Sequence, residues 1–121
     1  MIHVLQHESG KRYLECIPDS GVIASEADTA DLVAACGEYE THRLLIHAAN
    51  LHADFFHLGT GLAGAVLLKF ANYRIKTAAL LTPELVNQGR FREMVLEANR
   101  SSREFRVFYE RKKAEDWLLE D

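Results

Sequence analysis

Residues 59–64 read Gly59-Thr60-Gly61-Leu62-Ala63-Gly64. This is the G-x-G-x-x-G spacing with which a dinucleotide-binding turn brings a pyrophosphate against free amides and a helix N-terminus. Glu84 lies 20 residues past Gly64, where an acid would hold a ribose. Geometry excludes that reading. The fingerprint needs its first glycine in the turn directly after a strand, and about ten residues separate the apolar run ending at Ala48 from Gly59. Two local readings remain. As a helix N-cap, Thr60 accepts from the free amides of the first turn, and Gly61 and Gly64 are small because the helix lies close to a sheet. As a phosphoryl acceptor, Thr60 places about two negative charges where those amides and the helix dipole stabilise them.

Other side chains could also do chemistry. His47, His52 and His57 are spaced five apart, which on a helix turns successive rings in different directions, so no metal site is assigned. His47 lies inside an apolar run and reads as a hydrogen-bonded core residue. Asp54, between His52 and His57 and close to Thr60, makes the one acid–base cluster near a hydroxyl. It defines an alternative reading as a small-ligand or hydrolytic pocket of His52, Asp54, His57 and Thr60. There is no G-x-S-x-G elbow and no cysteine in a catalytic context, so no catalytic residue and no cofactor are assigned. Asn72-Tyr73-Arg74 and Asn99-Arg100 close two helical stretches. Asparagine there reads first as a left-handed cap; with His57 these residues form a candidate polar rim that could hold an anion or a partner carboxylate. Phe55 and Phe56 read as core plugs under a loop.

The elements that position these groups follow from periodicity. Ile2 to Gln6 and Arg12 to Ile17 are short strands joined by a turn at Glu8-Ser9-Gly10-Lys11. Asp28 or Thr29 caps a helix running to Tyr39. The runs Arg43–Ala48 and Ile75–Leu81 are nearly all apolar, as in strands covered on both faces. Between them, Thr60 to Asn72 is a helix with Leu62, Ala63, Val66, Leu67 and Phe70 on one arc and Leu68 off it. A helix at Gly89–Arg100, a strand at Phe105–Tyr109 and a helix at Lys112–Leu119 complete the order β-β-α-β-α-β-α-β-α. That alternation predicts an α/β fold, a mixed four- to five-stranded sheet with flanking helices.

No linker, repeat or low-complexity tract divides the chain, so a single domain over residues 1–121 is expected. The chain carries 14 basic against 18 acidic residues. The basic ones near the C-terminus alternate with glutamates, so these are solvated helix faces and no nucleic-acid partner is assigned. The longest uncharged stretch, Phe55 to Leu68, falls short of a membrane span. Two cysteines without a CxxC, and a start without a basic or apolar leader, predict a cytoplasmic protein with reduced thiols.

The segment FFHLGTGLAGAVLLKFANYRIKTAALL, then EANR and RVFYERKKAEDWLL, resembles a family of small bacterial proteins defined as a domain of unknown function. Its hallmark is FF-x-L-x-T-G-x-A-G-x-x-L-x-K-F-x-N-Y. That family is similar to STAS domains, the fold of anti-sigma-factor antagonists. In these, a Ser or Thr followed by Gly-Leu starts the helix after the third strand and accepts a phosphoryl group from a partner kinase. The resemblance implies that Thr60, with Gly61 and Leu62, is the corresponding acceptor or contact site. Leu58 stands where the antagonists carry an aspartate, and the connection before Thr60 is longer and more aromatic. The expected function is therefore a non-enzymatic regulatory or protein-interaction module centred on the helix start at Thr60. Its partner is a kinase or another regulator, and a homodimer stays open.

Overall fold

The computed structural model describes residues 1–120. Strands β1 (His3–Glu8) and β2 (Lys11–Cys16) form an antiparallel hairpin. Its two-residue turn holds Ser9 and Gly10 at φ 52° and 79°, the pair of left-handed residues that a type I′ turn requires. Beyond it, β3 (Arg43–His47), β4 (Lys76–Leu80) and β5 (Phe105–Phe108) add in parallel, giving one five-stranded sheet in the order β1-β2-β3-β4-β5. The connections carry α1 (Glu26–Glu38), α2 (Leu62–Asn72), the single turn α3 (Pro83–Val86) and α4 (Gly89–Ser101). Helix α5 (Arg111–Leu118) follows the last strand. The α/β fold with a mixed sheet and flanking helices is as expected.

Strand alternation divides the core between the two faces. Leu14, Cys16, Leu44, Ile46 and Ala79 pack with Leu32 and Cys36 of α1, Val66 and Phe70 of α2, and Phe91 and Val95 of α4. Repeated crossovers of one hand put these three helices on the same side. On the opposite face Tyr13, Leu45 and Ala78 pack under Ala114, Trp117 and Leu118 of α5. That is why β3 reads as a continuous apolar run. Phe55 and Phe56 are buried, in edge contact with Phe91, so they plug the core as their apolarity predicts. Leu68 is 62% exposed, as its place off the arc implied.

Several boundaries differ from the sequence reading. Helix α1 is capped by Ser25, not by Asp28 or Thr29: the Ser25 hydroxyl accepts from the Asp28 amide, and Asp28 turns back to accept from the Ala24 amide. The reciprocal pairing stabilises an earlier start than the apolar pattern alone indicates. Helix α2 begins at Leu62 with Gly61, at φ 81°, as its N-cap; Thr60 instead ends a short 3₁₀ turn, Leu58–Thr60. Gly64 has open space where a Cβ would stand, so close helix–sheet approach is not what makes it small. The left-handed residue closing α2 is Arg74, φ 56°, rather than Asn72. Arg74 and Ile75 donate to the carbonyls of Ala71 and Phe70, the double bond of a Schellman motif. Among the described residues, no helix is long and apolar enough to cross a membrane.

Candidate functional site

The connection from β3 to α2 is built from three consecutive 3₁₀ turns, Ala48–Asn50, Ala53–Phe56 and Leu58–Thr60. They hold the loop down because Phe55 and Phe56 anchor it in the core. Thr60 is exposed, yet its hydroxyl proton is shared between the carbonyls of Asp54, at 2.7 Å, and His57, at 2.9 Å. The same oxygen accepts from the Leu62 amide at 3.3 Å. Thr60 thus clasps the loop that seats the two phenylalanines and also satisfies one first-turn amide of α2. Beside it, His57, Leu58 and Gly59 face Gln88, Gly89 and Arg90 across a groove of about 400 Å³.

The acid–base cluster of the alternative reading shares this loop but is otherwise engaged. The Nδ1 atom of His52 accepts from the Asp54 amide at 3.0 Å and caps the second turn. Both acceptors of the Thr60 hydroxyl are main-chain carbonyls. A nucleophile needs a base within hydrogen-bond reach, and this arrangement directs the Thr60 proton elsewhere.

The candidate polar rim is not gathered in one place. His57 lies at the N-terminal end of α2 and Asn72, Tyr73 and Arg74 at its C-terminal end, about 16 Å away along eleven residues. Asn99 lies inside α4 and turns toward β5. It donates to the Val107 carbonyl at 3.0 Å and accepts from the Val107 amide at 2.8 Å, so it closes the outer edge of that strand. Arg100 pairs with Glu97 one turn earlier. Arg74 lines a groove of about 490 Å³ with Lys11, Arg12, Arg43 and Lys76. Two of these cations serve the end of α5. The Lys76 ammonium donates to the carbonyls of Trp117 at 2.5 Å and Glu120 at 3.2 Å, and Lys11 donates to that of Leu119 at 2.7 Å. Cations belong at a helix C-terminus, where carbonyls are unpaired and the dipole is negative. Burial lowers the Lys76 pKa, and the neighbouring charges of Arg43, Arg106 and Lys11 add to that.

Sequence reading missed the most densely bonded polar cluster, on the α5 face at the C-terminal ends of β2 and β3. Glu15, buried, accepts from both terminal nitrogens of Arg111 at 2.8 and 2.5 Å. It also meets His47 Nε2 at 2.7 Å and accepts from the side-chain amide of Gln6, Nε2, at 2.9 Å. Tyr13 donates to Glu115 at 2.6 Å and accepts from Arg111 at 3.1 Å. Burial alone would push the Glu15 carboxyl up; hydrogen bonds from Arg111, His47 and Gln6, with the Arg111 charge, outweigh it and hold the group down at about 2. The Arg111 pKa rises, chiefly through its bonds to Glu15. Burial and the bond to Glu115 push Tyr13 up to about 12. His47, read as a hydrogen-bonded core residue, is one member of this cluster. One sequence signal was present: an acid on the inward phase of a buried strand, where charges rarely stand unpaired.

Residues 8–118 match the model of a domain of unknown function, DUF4180. The chain belongs to that family. No curated protein and no solved structure matches it. DUF4180 membership brings no activity with it, so chemistry has to be read from the side chains themselves. Both cysteines of this DUF4180 chain are buried and free. Burial pushes Cys16 up to about 12 and Cys36 to about 11, so neither supplies a thiolate at neutral pH. Among the described residues of the DUF4180 fold, no three His, Cys, Asp or Glu side chains converge on a point that could hold a metal ion. What the domain presents is a clasped loop at the entrance to α2 and a saturated ionic cluster under α5.

Proposed function

We propose that this domain is a regulatory protein-interaction module whose contact surface is the entrance to α2, with Thr60 as the residue that switches it. The observation that carries the reading is the double character of one residue, Thr60, which is exposed and whose hydroxyl is also the clasp of the Asp54–Thr60 loop. A kinase partner, as the resemblance to anti-sigma-factor antagonists implies, would form an Oγ–P bond as the bond from the γ-phosphorus to the nucleotide breaks and the hydroxyl proton leaves. The ester oxygen then has no proton to donate. About two negative charges also come to lie against the carbonyls of Asp54 and His57. The first-turn amides of α2 and its dipole stabilise that charge only if it swings toward them. Modification therefore opposes the clasped loop and favours a rearranged surface. Leu58 replaces the aspartate of the antagonists, so the contact would be apolar where theirs is acidic.

The test is affinity capture from the native cell extract with three baits: the natural chain, Thr60→Val and Thr60→Glu. The expected result is a partner retained by the natural chain and lost or exchanged on Thr60→Glu, with phosphate found on Thr60 of the recovered protein. Identical partners on all three baits, with unmodified Thr60, would remove the reading. The pocket alternative has its own check. Ligand-induced thermal stabilisation that disappears in His57→Ala would favour it.

A further inference from the structure

The two edges of the sheet are treated differently by the rest of the chain. On β5 the outward amides are those of Phe105 and Val107; Ser102 Oγ accepts from the first and Asn99 Oδ1 from the second. Asn99 also donates to the Val107 carbonyl. That edge is closed by side chains. On β1 the Ile17 amide donates to the Ile2 carbonyl at 2.9 Å. Alternation along the antiparallel ladder then turns Val4, Gln6 and Glu8 toward β2, and His3, Leu5 and His7 outward. No other element pairs with this edge among the described residues, and β1 has neither proline nor lysine. Proteins usually blunt such an edge with charge, proline or a bulge. Here its flank carries Ile2 and Val4, 62% and 39% exposed.

We propose that a second copy of this chain covers β1, the two strands running antiparallel about a two-fold axis through Leu5. The two five-stranded sheets then become one. Self-pairing is favoured over stacking in rows because the β5 edge is already closed, so β1 of one copy finds an open edge only on β1 of the other, and the contact closes as a dimer. The outward groups are symmetric about Leu5: His3 meets His7 of the other copy, Leu5 meets Leu5, and each donor and acceptor is consumed. Charge fits the same register. Glu8 is the one acid in β1, and this axis holds the two Glu8 residues about 20 Å apart, six residues along extended strands. The exposed Val4 residues approach diagonally across the axis, where apolar pairs add to sheet stability.

Sedimentation of the full chain over a concentration series tests this, with Leu5→Pro and Val4→Lys beside it. The Leu5 amide faces outward, so proline there leaves the β1–β2 ladder intact and blocks only the outer edge. Val4→Lys keeps an exposed position exposed and needs no backbone change. The expected result is a reversible dimer whose dissociation constant rises at least tenfold in both variants, with unchanged circular dichroism. Register is read separately. Directly opposed Leu5→Cys residues, about 5.5 Å apart at Cα, can form a disulfide across the axis, whereas Gln6→Cys residues, offset along the strand, do not. A natural chain that stays monomeric at every concentration overturns the proposal. So does a dimer indifferent to both substitutions, or one cross-linked through Gln6→Cys and not Leu5→Cys.

Discussion

Replacing Glu15 by glutamine removes one charge from the cluster under α5 while nearly preserving volume. The amide then turns a donor toward Arg111 or His47, where the carboxylate offered only acceptors. Depression of the carboxyl from its ordinary value of 4.5 to about 2 corresponds to about 3 kcal/mol of native-state preference for the ionised form. Arg111 is 44% exposed on its side chain, so solvent screens part of the attraction, and the expected loss on Glu15→Gln at neutral pH is about 2 kcal/mol. For a chain of this length that is a fall of about 8 °C in Tm. The pH dependence has a definite sign. The folded-state pKa lies below the unfolded one, so the contribution is complete above about pH 4.5 and disappears as pH falls toward 2. Glutamine does not titrate, and the stability gap between the two proteins must therefore narrow over that window. Urea unfolding followed by Trp117 fluorescence at a series of pH values measures it. A neutral-pH gap below about 0.5 kcal/mol, typical of a surface change, refutes the reasoning. A gap that stays constant down to the acid end refutes it equally.

Three further expectations follow from single positions. Gly61→Ala costs about 1 kcal/mol or more because φ is 81° there, whereas Gly64→Ala, in a helix with open space at Cβ, adds up to about 1 kcal/mol; equilibrium unfolding of the pair decides whether the glycine motif is one unit or two unrelated glycines. Asn99→Ala frees the Val107 amide and carbonyl together, with an expected loss of about 1–2 kcal/mol, read as faster hydrogen exchange at Val107 as well as a lower urea midpoint. Cys16 and Cys36, buried with raised pKa values, should resist a thiol reagent in the native protein, and both should react in urea; prompt labelling of either without denaturant contradicts the packing described.

The elements were legible in the sequence because each is a local pattern. The runs around Leu44–Ile46 and Thr77–Leu80 have the apolar continuity of strands covered twice, and α2 shows its stripe directly. Boundaries were less legible because caps act through hydrogen bonds that compete with the apolar period. Ser25 extends α1 by a turn through its exchange with Asp28, and Gly61 takes the cap of α2 because a left-handed residue ends the preceding 3₁₀ turn. Thr60 stood out in the sequence through its motif, but its hydrogen-bond acceptors did not. They are main-chain carbonyls of Asp54 and His57, fixed only once Phe55 and Phe56 are seated in the core.

The cluster around Glu15 was illegible for another reason. Arg111 is 96 positions away and His47 is 32, so neither local period nor spacing motif links them. Only the parallel register of β2 with β3, Glu15 opposite Leu45, and the return of α5 across the sheet bring them together. Helix α5 has eight residues, too few to be stable on its own in water, and its apolar contacts through Ala114, Trp117 and Leu118 would tolerate sliding along a flat face. A bidentate bond from Arg111 to Glu15 at its first turn and ammonium bonds from Lys11 and Lys76 to its last carbonyls fix both ends. A buried ion pair adds little net stability over an apolar replacement, but leaving one partner unpaired is strongly unfavourable. Glu15 is therefore expected to act on placement as well as on stability: a position of α5 that carried Arg111 out of reach would leave the carboxylate short of its guanidinium.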